Sequence, residues 1–361
     1  MMNERGIALF IVLWVLALLS VIAGQFCHAM RTEINITRNF SEETRCYYIA
    51  KAGLNIALAE LIRSRTRPGT QASEGTAFQT EGDKRLFPVR KTKGVSASGE
   101  KKKDDIDTES EVILWRVNTD IPPVPFADGN FTVHMGNESG KIDINRADER
   151  MLKMILGSFD MDEKTVEIIA DSILDWRDAD DLHRINGAEN KYYQSLPNPY
   201  SAKNGNFDSP EELLLVKGMT PEIFYGGLSE MLTVHSDPAQ GETNRININA
   251  ASAKMLMALP GMTEELVTAL AEYRKEKDFK AISQLIPILG DEVYAAVSPY
   301  LSVQLSDVYT IRSEGSVSDS SAREGVCAVV KIDPRLKERY TVMQWTDSLE
   351  YPLYAHTEAG K

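Results

Sequence analysis

An uncharged apolar run near the N-terminus constrains this chain more than any other feature. No charged residue occurs from Ile7 to Gly24. Roughly 18 residues at about 1.5 Å of helical rise span ~27 Å, close to the thickness of a bilayer core. An ordinary secretory signal has a shorter apolar run and a small-residue cleavage site after it, whereas here the small residue, Gly6, stands before the run. The run therefore predicts a helix that stays in the membrane.

The arrangement around Gly6 resembles the leader of type IV prepilins and type II secretion pseudopilins. This resemblance implies that prepilin peptidase cuts between Gly6 and Ile7 and methylates the new amine. It also draws attention to Ile11, the fifth residue after the cut, where most of these proteins carry a glutamate. In the family that carboxylate meets the N-terminal ammonium of a neighbouring subunit, because an unpaired acid in lipid is costly. A chain with Ile11 needs no subunit above it, which suits a filament tip; the alternative is an anchor that does not assemble.

Composition favours a folded and acidic protein. The 361 residues are 43% hydrophobic and 26% charged, with a formal net charge of −13, and they suffice for two ordinary domains after the membrane helix. This excess of negative charge argues against a nucleic-acid partner and is compatible with bound divalent cations. The cysteines Cys27, Cys46 and Cys327 have no metal-ligand spacing. Whether the last two pair or stay free is open at this point.

Hydrophobic periodicity predicts a long helix, then strands, then a helical block, then strands again. The first strong helix stop is Pro68-Gly69. Outside the membrane run, apolar residues stripe one helix face at three-, four- and seven-residue steps; they are Ile36, Phe40, Tyr47, Leu54, Leu58 and Leu61. Strands are predicted at 112–117, 131–135, 309–312, 326–332 and 340–345.

This order predicts an α+β pseudopilin fold, in which a long N-terminal transmembrane helix packs on a small antiparallel sheet. A large all-helical insertion with duplicated helix-hairpin-helix-like units interrupts the sheet. The expected segments are a leader at 1–6, a helix at 7–67 with its membrane part at 7–24, a loop and first strands at 68–140, the insertion at 141–305 and the returning strands at 306–361.

The helical block contains an internal repeat. Residues 141–152 match residues 245–256 without a gap, and each copy opens with an Ile-x-Ile alternation. Candidate N-caps for the following helices are Asn145 or Asp148 in the first copy, and Asn249 or Ser252 in the second. Each copy resembles a helix-hairpin-helix unit, most clearly in the Leu-Pro-Gly-Met-Thr segment at 259–263.

Helix-hairpin-helix units often bind DNA through hairpin amides that meet phosphates. Here the usual second glycine is replaced by Thr263 after Gly261, and by Thr220 after Gly218. Glu264 follows immediately, where a phosphate would lie. An acidic hairpin is a poor phosphate site, so we favour a compact structural scaffold over DNA binding.

The segment from Asp175 to Tyr193 is the one stretch with the chemistry of a site. Its carboxylates are too dense for one loop unless a cation neutralises them, and oxygen ligands of this kind select Ca²⁺. Counting from Asp178, the spacing partly mimics an EF-hand but fails at Leu182 and His183. The alternative is a solvated acidic turn. Catalysis has little support, because the five histidines are scattered and none stands in a nucleophile or zinc motif.

Together these motifs resemble the type II secretion minor pseudopilin K family, also called general secretion pathway protein K. The motifs that carry the resemblance begin at Arg5, Gly140, Ile173, Asn186, Ala202, Phe207, Ile246 and Ile311. The resemblance implies structural Ca²⁺ in the insertion, and our candidate ligands are Asp175, Asp178, Asp180, Asp181 and Glu189, followed by Asn186, Asn190 and Asp208.

The resemblance also implies a role and partners. We expect a non-enzymatic minor pseudopilin at the tip of the pseudopilus, held by one span in the bacterial inner membrane with its C-terminal head in the periplasm. Expected partners are the minor pseudopilins I and J, prepilin peptidase, the inner-membrane secretion platform, and a secreted substrate or the outer-membrane secretin. Three alternatives stay open: a DNA-binding or DNA-uptake pilin, a minor type IV pilin, and a membrane-anchored metal-dependent hydrolase.

Overall fold

The computed structural model describes residues 4–66, 117–118, 121–236, 245–318 and 320–347, with side chains from residue 12 onward. Helix α1, Glu4–Thr66, is 63 residues long and runs through the expected cleavage point without a break. In the described residues it is the one helix long and apolar enough to cross a membrane, and its apolar window is fully exposed. The second half of α1 is the part that packs against the sheet.

The sheet has five antiparallel strands, which are β1 Val124–Phe126, β2 Gly129–Asn137, β7 Val308–Val317, β8 Arg323–Ile332 and β9 Tyr340–Thr346. They lie in the order β1-β2-β7-β8-β9. Neighbouring strands in the sheet also follow one another along the chain, except for β2 and β7, which pair from Gly129 with Val317 to Asn137 with Tyr309. The insertion therefore lies between two strands that are neighbours in the sheet.

One face of the sheet and one face of α1 share an apolar core. Strand β2 alternates buried and outward residues along its length, as a half-buried sheet requires. Glycine allows the close approach, because a Cβ at Gly315 would overlap the α1 backbone at Cys46 and Ala50. The larger side chains of this core are Ile49, Leu54, Leu58, Leu61, Phe131, Met135, Ile311, Val326 and Val330.

The insertion has its own hydrophobic core and is built from short helices. Its helices are α2 Glu149–Leu156, α3 Glu163–Arg177, α4 Asn190–Tyr193, α5 Pro221–Ile223, α6 Ser229–Met231, α7 Ala253–Met257, α8 Glu264–Glu276 and α9 Ile286–Val297. Tighter or wider helical turns occur at Glu138–Gly140, Pro210–Leu215, Phe224–Leu228, Ile282–Leu285 and Ser298–Tyr300.

The insertion also contains two short parallel strand pairs that an all-helical prediction does not include. Strand β3, Ile142–Asp143, pairs with β4, Leu232–Thr233. Strand β5, Ile246–Asn247, pairs in the same way with β6, Leu301–Ser302. In each unit the Ile-x-Ile start therefore closes against the end of the same unit.

The repeat is also visible in its hydrogen bonds. The Asn145 side chain both donates to the Phe207 carbonyl (3.0 Å) and accepts from the Phe207 amide (2.7 Å). Asn249 makes the same two bonds to Phe279, at 2.9 and 2.8 Å. Arg177 donates to the carbonyls of Ile144 and Ala147, and Arg274 donates to those of Ile248 and Ala251. The two units are thus built on one set of contacts.

These bonds decide the open question of the N-caps. Asp148 accepts from the Met151 amide and Ser252 accepts from the Met255 amide, so these two residues cap α2 and α7. Asn145 and Asn249 instead hold Phe207 and Phe279 through the paired bonds given above. We call each such pair of bonds a clamp. A side-chain amide carries its donor and its acceptor on separate atoms, so it can pair with both the N–H and the C=O of one residue, as a strand partner does.

Several other predictions meet the structure directly. The four strands predicted within the described residues are present and longer than expected, whereas 112–116 lies outside the described residues. The helical stripe is buried only in its second part: Ile36 and Phe40 are exposed, because α1 meets the sheet further along. All three cysteines are free, with Cys46 buried and Cys327 half-buried.

We predict that Asn249→Ala lowers the free energy of unfolding by about 1–3 kcal/mol, because the backbone N–H and C=O of the buried Phe279 both lose their hydrogen-bond partner. Chemical denaturation of the purified chain checks this. Asn55→Ala, at an exposed position of α1, is the control and should leave stability unchanged or slightly raised. Equal effects of the two substitutions would contradict the clamp.

Candidate metal centre

The acidic segment lies between the end of α3 and the clamp at Phe207. In the second unit only four residues lie between Arg274 and Phe279, against 29 between Arg177 and Phe207, so most of residues 178–206 have no counterpart there. Helix α3 ends at Arg177, and the capping residue Asp178 has extended backbone. The acidic segment is therefore an addition to one copy of a duplicated unit.

Three carboxylates converge at this place. Oxygen atoms of Asp175, Asp178 and Glu189 lie within 4.8 Å of one another. The Asp175 residue is fully buried and Glu189 is 4% exposed. Both Glu189 oxygens and the Oδ1 of Asp178 are buried and have no hydrogen-bond partner. Buried charged oxygens without donors are strongly unfavourable unless a cation neutralises them.

The electrostatics of the cluster point the same way. Burial, together with smaller contributions from the charges of Asp175 and Asp178, raises the pKa of Glu189 to about 7. Burial also raises the pKa of Asp175, with a smaller effect from the Asp178 charge. Asp175 and Glu189 thus resist ionisation because they are buried and lie near other carboxylates, and a divalent cation reverses that preference.

The backbone fixes Asp175 within the loop. The Arg184 amide donates to both Asp175 oxygens, at 3.0 and 3.2 Å. A Cβ at Gly187 would overlap the same carboxylate. Glycine at this position therefore lets the loop close over Asp175, a requirement that the sequence does not reveal.

The other candidate ligands occupy different places. Asp181 accepts from the side-chain Nδ2 of Asn190 (2.6 Å), while the side-chain Oδ1 of Asn190 accepts from the backbone amide of Ala202. Asp180 accepts from the Leu182 amide at the exposed edge of the loop. The Asn186 side chain donates to Glu167 on α3, and Asp208 pairs with Lys203 at 2.7 Å. The structure therefore groups three of the eight candidates and places five around or away from them.

Asn204 is a residue that sequence analysis missed. Its Oδ1 is buried without a partner, while its Nδ2 donates to the Asp180 carbonyl (3.0 Å) and lies 3.3 Å from Asp181 Oδ1. Its backbone has a positive φ of 48°, which Asn tolerates better than most residues. The signal available in the sequence was its place in the Ala-Lys-Asn-Gly motif at 202–205.

Oxygen atoms alone line this cluster, and the donor set fits a hard divalent cation. Three carboxylates, with no sulfur or imidazole among them, match the preference of Ca²⁺ and not that of Zn²⁺ or Cu²⁺. The orphaned oxygens of Asp178 and Glu189 are the atoms such an ion would satisfy.

Comparison with known proteins relates the chain to one family. Residues 133–237 match the family model described as type II secretion system protein K. The type II secretion system protein K of Pseudomonas aeruginosa is 24% identical over 321 residues, which cover 83% of this chain and 84% of that protein. The chain is therefore similar to type II secretion system protein K along most of its length.

Further similarities extend this result. A putative type II secretion system protein K of Escherichia coli K12 is 23% identical over 335 residues, 89% of this chain and 91% of that protein. Residues 241–302 match a helix-hairpin-helix motif, as the repeat predicted. A crystal structure of the GspK–GspI–GspJ complex from enterotoxigenic Escherichia coli is similar with a TM-score of 0.48 and 18% identity, over 63% of this chain and 83% of that chain.

These similarities confirm the predicted role of a minor pseudopilin in type II secretion. The family is a structural component of secretion. An apolar α1 in a chain similar to this family fits a single-pass membrane anchor.

We predict that Glu189→Gln stabilises the metal-free protein at pH 8. The folded-state pKa of Glu189 lies above its ordinary value of 4.5, so the native state holds the extra proton between about pH 4.5 and 7, and stability falls as pH rises through this window. Glutamine removes the charge and with it a penalty of at most about 3 kcal/mol. Chemical denaturation of the wild-type chain and of Glu189→Gln, in chelator at pH 5 and pH 8, measures this difference in stability.

Glu292→Gln, at an exposed position of α9, is the matched control and should leave the pH dependence as in the wild-type chain. A loss of stability at pH 8 in Glu189→Gln would show that the carboxylate has a stabilising partner, contrary to the cluster described here.

Proposed function

We propose that this minor pseudopilin caps the tip of the type II secretion pseudopilus, with its head in the periplasm. The supporting observation is the position of the insertion. Residues 138–307 leave and re-enter the sheet between two neighbouring strands, so the head carries a second body beside the pilin-like core. A body of that size is hard to repeat around a helical filament, whereas a single copy at one end has room.

The N-terminal features agree with this place in the filament. On the family resemblance, prepilin peptidase removes residues 1–6 at the Gly6–Ile7 bond and methylates the new amine. Ile11 then stands where other subunits present a carboxylate to the subunit above. The side chains of these residues lie outside the described part of the structure. The anchor supplies membrane retention, and the absence of an acid at this depth avoids the cost of an unpaired charge.

The proposed partners follow from the same role. The minor pseudopilins I and J complete the tip, the inner-membrane secretion platform supports assembly, and a secreted substrate or the outer-membrane secretin meets the head. Within the family resemblance these contacts define a structural and non-enzymatic function. DNA is a poor partner, because Glu264 and Glu265 begin α8 directly after the hairpin at Gly261.

We further propose that Asp175, Asp178 and Glu189 hold a structural Ca²⁺. Bound Ca²⁺ would supply a fixed positive charge between the three carboxylates. The residues themselves join the end of α3 to the start of α4, so binding is linked to the folding of the segment between them. This favours a role in stability over a role in chemistry.

The secretion role is tested by complementation. We expect the full chain to restore export in a host strain that lacks its protein K, and to form a stoichiometric complex with I and J when the three are purified together in detergent. Analytical size exclusion with mass detection measures the complex. Restored export without a complex would contradict the tip assembly, and export that stays absent despite normal levels of the chain would contradict the role itself.

The metal proposal makes a separate prediction. At a Ca²⁺ concentration about 100 times the dissociation constant, the melting temperature should rise by about 5–10 °C over that with chelator. Asp178→Asn should remove most of this rise, because one charged ligand is lost. Asp208→Asn is the matched control, since Asp208 pairs with Lys203 at the surface. If the wild-type chain has the same melting temperature in Ca²⁺ and in chelator, the metal proposal is contradicted and the alternative of an acidic turn without an ion is supported.

A further inference from the structure

Two aliphatic side chains stand out of the acidic loop into solvent. Ile185 is 95% exposed and Leu182 is 80% exposed, the highest values among the exposed large hydrophobic residues in the described part of the chain. They lie three positions apart, on either side of His183 and Arg184. We call residues 182–185 the loop tip.

The backbone of the loop tip is fixed from below. The Leu182 amide donates to Asp180 (2.8 Å), and the Arg184 amide donates to the buried Asp175. Just beyond the tip, the Asn186 amide donates to Asp171 (3.1 Å), and the Gly187 amide donates to the Arg184 carbonyl (3.1 Å). The two aliphatic groups are therefore held outward by a rigid support, which is the arrangement of a preorganised contact.

The charge beside the loop tip is negative. The Arg184 guanidinium turns back toward the protein, where it lies 3.7 Å from both Asp175 and Glu149. Asp180 and Asp181 remain exposed beside Leu182. A surface complementary to the tip must therefore offer an apolar recess with basic side chains at its edge.

A lipid surface does not meet these conditions. Calcium-dependent attachment to lipid needs an ion open to the phosphate, but the carboxylates that would hold Ca²⁺ here are buried, with Asp175 fully covered and Glu189 4% exposed. Asp180 and Asp181 would be repelled by anionic headgroups. Two aliphatic side chains also bury less apolar surface than one acyl chain, which by itself gives only marginal membrane binding.

We propose that Leu182 and Ile185 dock into a partner protein through an apolar socket edged by Lys or Arg, and that the metal centre serves to present them. The inference rests on the proposed metal centre for the support of the loop, and it adds the contact that this support serves. The partner would bind the two aliphatic side chains and the acidic residues beside them. Salt should therefore slow association, and loss of both aliphatic side chains should abolish binding.

The test uses the full chain in a host strain that lacks its protein K. The double substitution Leu182→Ser with Ile185→Ser should lower export at least tenfold while leaving the Ca²⁺-dependent rise in melting temperature unchanged, because exposed side chains contribute little to folding. Leu336→Ser is the control: Leu336 is 41% exposed in the turn between β8 and β9, and its loss should not change export. Export by the double variant equal to that of Leu336→Ser would overturn the proposal.

A photo-crosslinking amino acid at position 185, and at 336 as control, identifies the contact. We expect position 185 to give a protein adduct that maps by mass spectrometry to an apolar recess within reach of Lys or Arg, and to lose it in high salt or with Leu182→Ser. Adducts with lipid alone, or with an acidic surface, would overturn the proposal. If the wild-type chain gives this adduct but its melting temperature does not respond to Ca²⁺, the docking contact is supported and the role of the metal centre in presenting it is overturned.

Discussion

The insertion depends on a closure between its two ends. Asn137, the last residue of β2, donates to the Ser306 carbonyl (2.8 Å) and accepts from the Ser306 amide (3.1 Å). Both residues are buried, at 1% and 2% exposure. Because the entropy of closing a loop grows only slowly with its length, a long insertion is tolerated when its ends are held and its interior folds by itself. The Asn137 clamp meets the first condition and the separate core of the insertion meets the second.

This closure repeats a device used inside the insertion. Asn145 holds Phe207 and Asn249 holds Phe279 through the same pair of bonds as Asn137 and Ser306. Each clamp joins the start of a unit to a later segment that the chain reaches only after one or more helices. A side-chain amide replaces a strand partner at these points, so the backbone polar groups of a buried crossing remain paired.

The sequence supports the fold far better than it supports the details of the site. The period-two pattern in β8, the uncharged start of α1 and the gapless match of the two units each follow from local spacing, and these three features are present in the structure. The spacing could not separate a cap from a clamp, because Asn145 and Asp148 are both good caps and tertiary contacts decide between them. It also could not select three ligands from eight, since Asp208 and Glu189 both carry carboxylates and are distinguished by their burial. Asn204 escaped for the same reason: its oxygen is notable only because it is buried and unpaired.

The acidic loop reverses the usual relation between polarity and burial. It buries Asp175 and Glu189 and exposes Leu182 and Ile185, although hydropathy alone would place the four residues the other way. A fold tolerates such a reversal when something outside the chain satisfies the misplaced groups. On the two proposals made above, that agent would be a cation for the carboxylates and an apolar surface of a partner for the aliphatic groups. The second unit, which has four residues where the first has residues 178–206, keeps its clamp at Phe279 without this reversal. Since the duplicated scaffold folds without the loop in one copy, the loop in the other copy is better explained by contacts with a cation and a partner than by the needs of the scaffold.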